Sequence, residues 1–134
     1  MATWPPLKGD DLREAARSTG FDSAFPVLMR RLILETGDGI TELDMPGESG
    51  TAVGGFDGVA TATRATTFVP AGTSVWELSV GSGAQTKADS DYGKRKTGPE
   101  GREASEVTYV QTILAVWQKS RTWASARNKE GRWK

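Results

Sequence analysis

The apolar residues of this chain change period several times, and each change marks an element. Phe25, Leu28, Met29, Leu32 and Ile33 recur at i, i+3, i+4, i+7 and i+8, the spacing of one helical face. Arg30 and Arg31 fall off that stripe, and Pro26 is tolerated in a first turn. Asp22 or Ser23 is the expected cap, Glu35 stands in the last turn, and Gly37 is the expected stop. From Ile40 to Met45 the pattern alternates as a strand does, until Pro46-Gly47 ends it. Phe56 to Thr63 is rich in Val, Ala and Thr and predicts a second strand. Thr66 to Val69 extends the hairpin before a turn at Pro70-Ala71-Gly72. Thr73 to Val80 predicts a third strand, with Val75, Glu77 and Ser79 on one face and Trp76, Leu78 and Val80 on the other.

After Gly81-Ser82-Gly83, Ala84 to Lys96 predicts a helix carrying Lys87, Asp89, Asp91, Lys94, Arg95 and Lys96. A polar loop follows from Thr97 to Ser105. Glu106 to Val116 alternates and then runs apolar, the pattern of an inner strand. Ser120 or Thr122 opens a last helix that Gly131 closes, and Trp133-Lys134 reads as the start of a further strand of a longer chain. At the other end, Pro5-Pro6 makes residues 1–9 a tether, and Asp10-Asp11 caps a short helix from Leu12 to Ser18. The division is therefore a tether and short helix over 1–24 and an α/β domain over 25–134. A meander of three strands, a helix and a returning strand predict an α/β sandwich with a mixed central sheet.

Composition narrows the chemistry. The chain has 134 residues, enough for one domain with a core, and its formal net charge is zero. It has no Cys and no His. Thiolate zinc sites, disulfides, thiol nucleophiles, Ser-His-Asp triads and HExxH sites are all excluded. An enzyme built from this chain works with carboxylates, Lys, Arg, hydroxyls and a hard cation such as Mg²⁺ or Mn²⁺. The N-terminus lacks a basic-then-apolar signal pattern and no apolar run is long enough to span a bilayer, so the cytoplasm is the expected setting.

Two acids stand in strand interiors, Asp57 in Gly55-Phe56-Asp57-Gly58 and Glu77 in Val75-Trp76-Glu77-Leu78. Such positions are costly for a carboxylate unless it is paired, exposed or bound to a cation. In an antiparallel hairpin centred near Thr67 the two face each other, with Cβ atoms about 5 Å apart. The turn residues at Pro70-Gly72 suggest a later centre, which leaves the register open. Facing carboxylates repel unless a cation lies between them or one is protonated. The bland alternative is that Asp57 caps a turn and Glu77 occupies a solvated sheet edge. Glu35 is a third candidate acid, or else a solvated last-turn residue. The C-terminal segment sets Lys119, Arg121, Arg127, Lys129, Arg132 and Lys134 among Trp117, Trp123 and Trp133. This is either a phosphate-following strip or core aromatics beside a solvated face.

The order of elements and the placement of Asp57 and Glu77-Leu78-Ser79 resemble the PD-(D/E)XK, or restriction-endonuclease-like, family. Phe25-Pro26, Arg30-Arg31-Leu32, Trp76-Glu77-Leu78, Lys87-Ala88-Asp89 and Asp91-Tyr92-Gly93-Lys94-Arg95 are similar to domains at the N-termini of large bacterial antiphage NTPases of the STAND type. The resemblance implies an α-β-β-β-α-β core, Mg²⁺ or Mn²⁺ at Asp57 and Glu77, and hydrolysis of double-stranded DNA. Lys94, Arg95, Lys119 and Arg121 are then the expected DNA contacts. It also implies linked downstream NTPase and sensor domains, and activation by oligomerisation. Ser79 departs from the family, which keeps a Lys there. Some members supply that Lys from the following helix, which makes Lys87 the candidate and Lys94 the next; both also read as solvated helix residues paired with Asp91 or Asp89 at helical spacing. If neither reaches the site, the implied function is a catalytically inactive module that binds nucleic acid or docks a protein. A third reading is an unrelated small α/β binding domain whose acids are structural.

Overall fold

The computed structural model describes residues 21–46, 55–80, 83–99 and 101–134. The expected tether and short N-terminal helix lie outside the described residues.

Helix α1 runs Phe21–Thr36, so Asp22 and Ser23 fall in its first turn rather than ahead of it. Strand β1 is Asp38–Asp44, β2 is Gly58–Arg64 and β3 is Gly72–Val80. Helix α2 spans Ala84–Lys94, β4 spans Thr108–Leu114 and helix α3 spans Ser120–Glu130. A short 3₁₀ turn at Ala104–Glu106 leads into β4. The segment Thr66–Val69 does not extend the hairpin. It folds into a turn in which Thr66 N–H donates to Val69 O and Val69 N–H to the Thr66 hydroxyl. No helix among the described residues is long and apolar enough to cross a membrane.

The four strands form one mixed sheet in the order β1-β2-β3-β4. The first two pairings are antiparallel and β3–β4 is parallel. Parallel neighbours require a crossover, and α2 provides it. The chain is thus an α/β protein with three α-helices among the described residues.

The strand alternation divides the core into two faces. On one, Phe25, Met29 and Ile33 of α1 pack with Met45, Ala60, Ala62, Val69 and Trp76. Leu28 and Leu32, from the same predicted stripe, are 39% and 37% exposed, so the helix buries a narrower stripe than its sequence offers. The other face carries Phe56, Val59, Val75 and Val107, with Tyr109 and Trp133 packed against them. Here α2 and α3 enter through aromatic contacts. The Tyr92 ring meets Tyr109 and Trp123 edge-on, with centroids 5.3 and 5.5 Å apart. The chain end does not begin a strand. Gly131 adopts a left-handed φ of 67°, and Lys134 N–H then donates to Val107 O at 3.0 Å. That return lays Trp133 against Phe56 and Tyr109.

Phe56 is the hub of this second face at 1% exposure. Phe56→Ala is expected to lower stability by about 3–5 kcal/mol, as large-to-small core changes do. Phe68→Ala, at a site 59% exposed, is expected to change it by less than about 0.5 kcal/mol. Urea unfolding midpoints of the two variants check the contrast.

Candidate active site

The second face of the sheet carries a polar row. Because β3 alternates, Glu77 and Ser79 project to the same side as Val75, away from Trp76 and Leu78. Gly58 pairs with Trp76 and Val59 with Val75, which puts Asp57 opposite Glu77 one step before β2 begins. The hairpin is therefore centred at Thr67, in spite of the turn residues further on. Asp57 is fixed by the backbone: its Oδ2 accepts Leu78 N–H at 2.8 Å.

Glu77 is only 4% exposed although it is ionisable, being flanked by β2 and β4. Its Oε1 accepts the Arg95 Nε–H at 2.5 Å. Burial pushes its carboxyl up to about 7. The Arg95 guanidinium pulls the other way, and the neighbouring Asp57 adds to the rise through its charge and a hydrogen bond. Desolvation wins over a close ion pair here, since charge attraction offsets only part of the cost of leaving water.

Beside this pair lies a second cluster, centred on Asp91 of α2. The Ser79 hydroxyl donates to Asp91 Oδ2 at 3.2 Å, and Gln111 Nε2 donates to the same oxygen at 3.1 Å. Lys87 Nζ stands 3.3 Å from Asp91 Oδ1, an i,i+4 pair on one helix turn. Tyr109 donates to Gln111 Oε1 at 2.7 Å. Burial, then the charges of Glu77 and Asp91, raise the Tyr109 phenol and keep it a donor. In the parallel register Gln111 is the partner of Glu77, which brings β4 to both clusters.

Of the residues expected at the site, Asp57 and Glu77 are brought together, and Lys87 reaches Ser79 through Asp91. Glu35 is not among them. It is exposed on α1, which packs on the opposite face of the sheet. Among the described residues no group of three or more acids is arranged to hold a metal. Of the expected DNA contacts, Lys94, Lys119 and Arg121 are exposed. Arg121 lines an open groove with Trp117, Trp123, Tyr109 and Gln111, so that groove leads to the Asp91 cluster. Arg95 differs: it is turned inward onto Glu77, and its Nη2 donates to Gly55 O at 2.6 Å. Arg127 is likewise engaged, with Asp89 and Glu130.

Gln111 and Tyr109 were not expected, and Asp91 was expected only as a helical-spacing partner of a lysine, a pairing that Lys87 makes. Asp91 had a visible signal, since Ala84, Ala88, Asp91 and Tyr92 form the buried stripe of α2 and an acid on such a stripe needs a partner. Gln111 had a weaker one, as a polar residue within an otherwise apolar strand.

Two carboxylates from opposed positions are a sound but minimal donor set for a hard cation, which keeps water or phosphate oxygens in its remaining positions. Without a cation, the raised Glu77 links stability to pH. The folded protein holds a proton that the unfolded chain, at the ordinary value of 4.5, releases. This contribution is full below the unfolded value and is lost as pH rises through about 7. In chelator, stability is expected to decline by about 3 kcal/mol across that window. Glu77→Gln is expected to flatten the decline, as followed by urea unfolding at a series of pH values.

No protein-family model matches this chain, and no curated protein and no solved structure matches it. Its chemistry is therefore read from the site itself.

Proposed function

We propose that this chain is a metal-dependent endonuclease domain of restriction-endonuclease-like fold, hydrolysing phosphodiester bonds in double-stranded DNA. The observation that carries this reading is the opposed Asp57–Glu77 pair with Lys87 tethered beside it through Asp91 and Ser79. The sequence resemblance extends it to an effector role in bacterial antiphage defence.

A divalent cation, when bound, supplies an activated water at neutral pH and a Lewis acid at the phosphate. Asp57 and Glu77 would hold it. The backbone N–H of Leu78 keeps Asp57 from rotating, so one ligand is preorganised at no further cost. Lys87 takes the role that Ser79 cannot perform, offsetting negative charge that develops on the phosphate. Asp91 orients that ammonium, and Ser79 and Gln111 in turn fix Asp91. Arg121, Trp117 and Trp123 border the groove along which a phosphate backbone would run.

The alternative is a catalytically inactive module of the same fold. The observation favouring it is Arg95, which already neutralises Glu77, together with Ser79 in place of Lys.

Purified protein is expected to nick plasmid DNA with Mg²⁺ or Mn²⁺ and not with chelator. Asp57→Ala or Glu77→Gln should reduce cleavage at least about 100-fold, and Lys87→Ala about 10- to 1,000-fold. Gel quantitation of nicked and linear product reads the loss. Cleavage by Asp57→Ala at the wild-type rate would remove the assignment.

A further inference from the structure

Arg95 has three anchors, and all of them hold its guanidinium over the acid pair. Nε donates to Glu77 Oε1 at 2.5 Å, and Nη2 donates to Gly55 O at 2.6 Å. The guanidinium carbon lies 5.0 Å from the Phe56 ring centroid. In Arg64–Asp38, Arg102–Glu42 and Arg127–Asp89 both side chains keep a third or more of their accessibility or close to it, and in Lys87–Asp91 the acid is buried but the lysine is half exposed. Among the described ion pairs only Arg95–Glu77 has both partners largely covered, the Glu77 side chain keeping 5% of its accessibility and Arg95 24%. A carboxylate this buried needs a positive partner or a proton.

A guanidinium and a divalent cation cannot both contact the same buried carboxylate oxygen without strong repulsion in a low-dielectric setting. We infer that Arg95 is a built-in countercation that competes with the divalent metal for Glu77, so that metal entry and Arg95 release are a single exchange. This rests on the metal site of the nuclease reading. Release is local. Arg95 follows the last residue of α2 with an extended backbone, and its carbonyl anchor Gly55 is exposed. No secondary-structure bond has to break for the side chain to turn.

The freed guanidinium keeps its charge and its planar fork, which suits a phosphate diester. Bound DNA therefore favours the released state, and by reciprocity raises the affinity for metal. The domain on its own is held in a metal-poor state, and the substrate itself relieves that hold.

Calorimetric titration with Mn²⁺ tests the exchange in wild type, Arg95→Gln and the Arg95→Gln/Glu77→Gln double variant, each checked for folding by thermal unfolding. Arg95→Gln is expected to bind Mn²⁺ about tenfold or more tightly than wild type, and the double variant to lose that gain. In wild-type protein the Arg95 Nε–H resonance, displaced by its carboxylate bond, should return to a free-guanidinium position as Mg²⁺ is added. This second measurement decides the matter if Arg95→Gln does not fold. The inference is overturned if Arg95→Gln binds Mn²⁺ no more tightly than wild type, or if the resonance is unmoved at saturating Mg²⁺. Tighter Mn²⁺ binding with no plasmid cleavage by any variant supports the exchange and removes the nuclease reading instead.

Discussion

The dehydration of one carboxyl group sets the terms on which the second face of the sheet is built. Glu77 is placed in the third of four strands, where neither flank reaches water. An ion there is tolerated only with compensation, and two separate parts of the chain supply it. The end of α2 delivers the Arg95 guanidinium, and the entry to β2 delivers Gly55 and Phe56 to hold that guanidinium. The start of β2 contributes Asp57, whose charge makes matters worse for Glu77 rather than better. A fold selected for stability alone would place an apolar residue at position 77, since replacing buried ion pairs with apolar groups is often neutral or stabilising. Retaining two acids in register at that cost is a physical argument for chemistry at the site.

The two faces divide the labour. The face under α1 is dry and apolar, and its one buried indole donor, that of Trp76, is satisfied by the Ser74 hydroxyl at 2.9 Å. The other face holds the polar row, roofed by Tyr92, Tyr109, Trp123 and Trp133. Rings excluding water from one side lower the local dielectric and strengthen every charged contact beneath them. The Arg127 and Arg132 guanidiniums lie over Tyr92, which ties the roof to α3 and the chain end. The C-terminal tryptophans are thus half-buried: Trp133 packs on the core, Trp117 and Trp123 line the open groove, and the basic neighbours Arg127 and Arg132 are engaged with Tyr92.

Much of this was legible in the sequence where a local pattern decides the outcome. Helical spacing from Phe25 to Ile33 and alternation from Thr73 to Val80 each fix a face, and the element order follows from their sequence. Glu77 and Ser79 were placed on one side of β3 by that alternation alone. The hairpin register was harder, because turn residues at Pro70-Gly72 argued against the centre that the ladder adopts. Asp91, Gln111 and Arg95 meet the site only through the β3–β4 pairing and the length of the crossover, neither of which any local pattern encodes. Glu35 misled for the same reason. Its place in a last turn was readable, but the side of the sheet on which α1 lies was not. Trp133 looked like a strand because an aromatic at a chain end suggests continuation. The left-handed turn at Gly131 instead folds it back over Phe56.

The parallel pairing of β3 with β4 also bears on the order in which the molecule is assembled. The β1–β2 and β2–β3 connections cover 45–57 and 65–71, whereas the crossover from β3 to β4 covers 81–107, and several contacts around the polar row also join distant parts of the chain. Arg95 reaches back 40 residues to Gly55, Gln111 20 residues to Asp91, and Glu130 38 residues to Tyr92. Closing longer loops costs more entropy and comes later in folding. β4 covers the β3 edge on which Glu77 stands, so the burial that raises its carboxyl depends on that pairing. The burial that sets Glu77 apart is therefore acquired with the last strand, and a chain lacking that pairing carries the same residues in a different electrostatic setting.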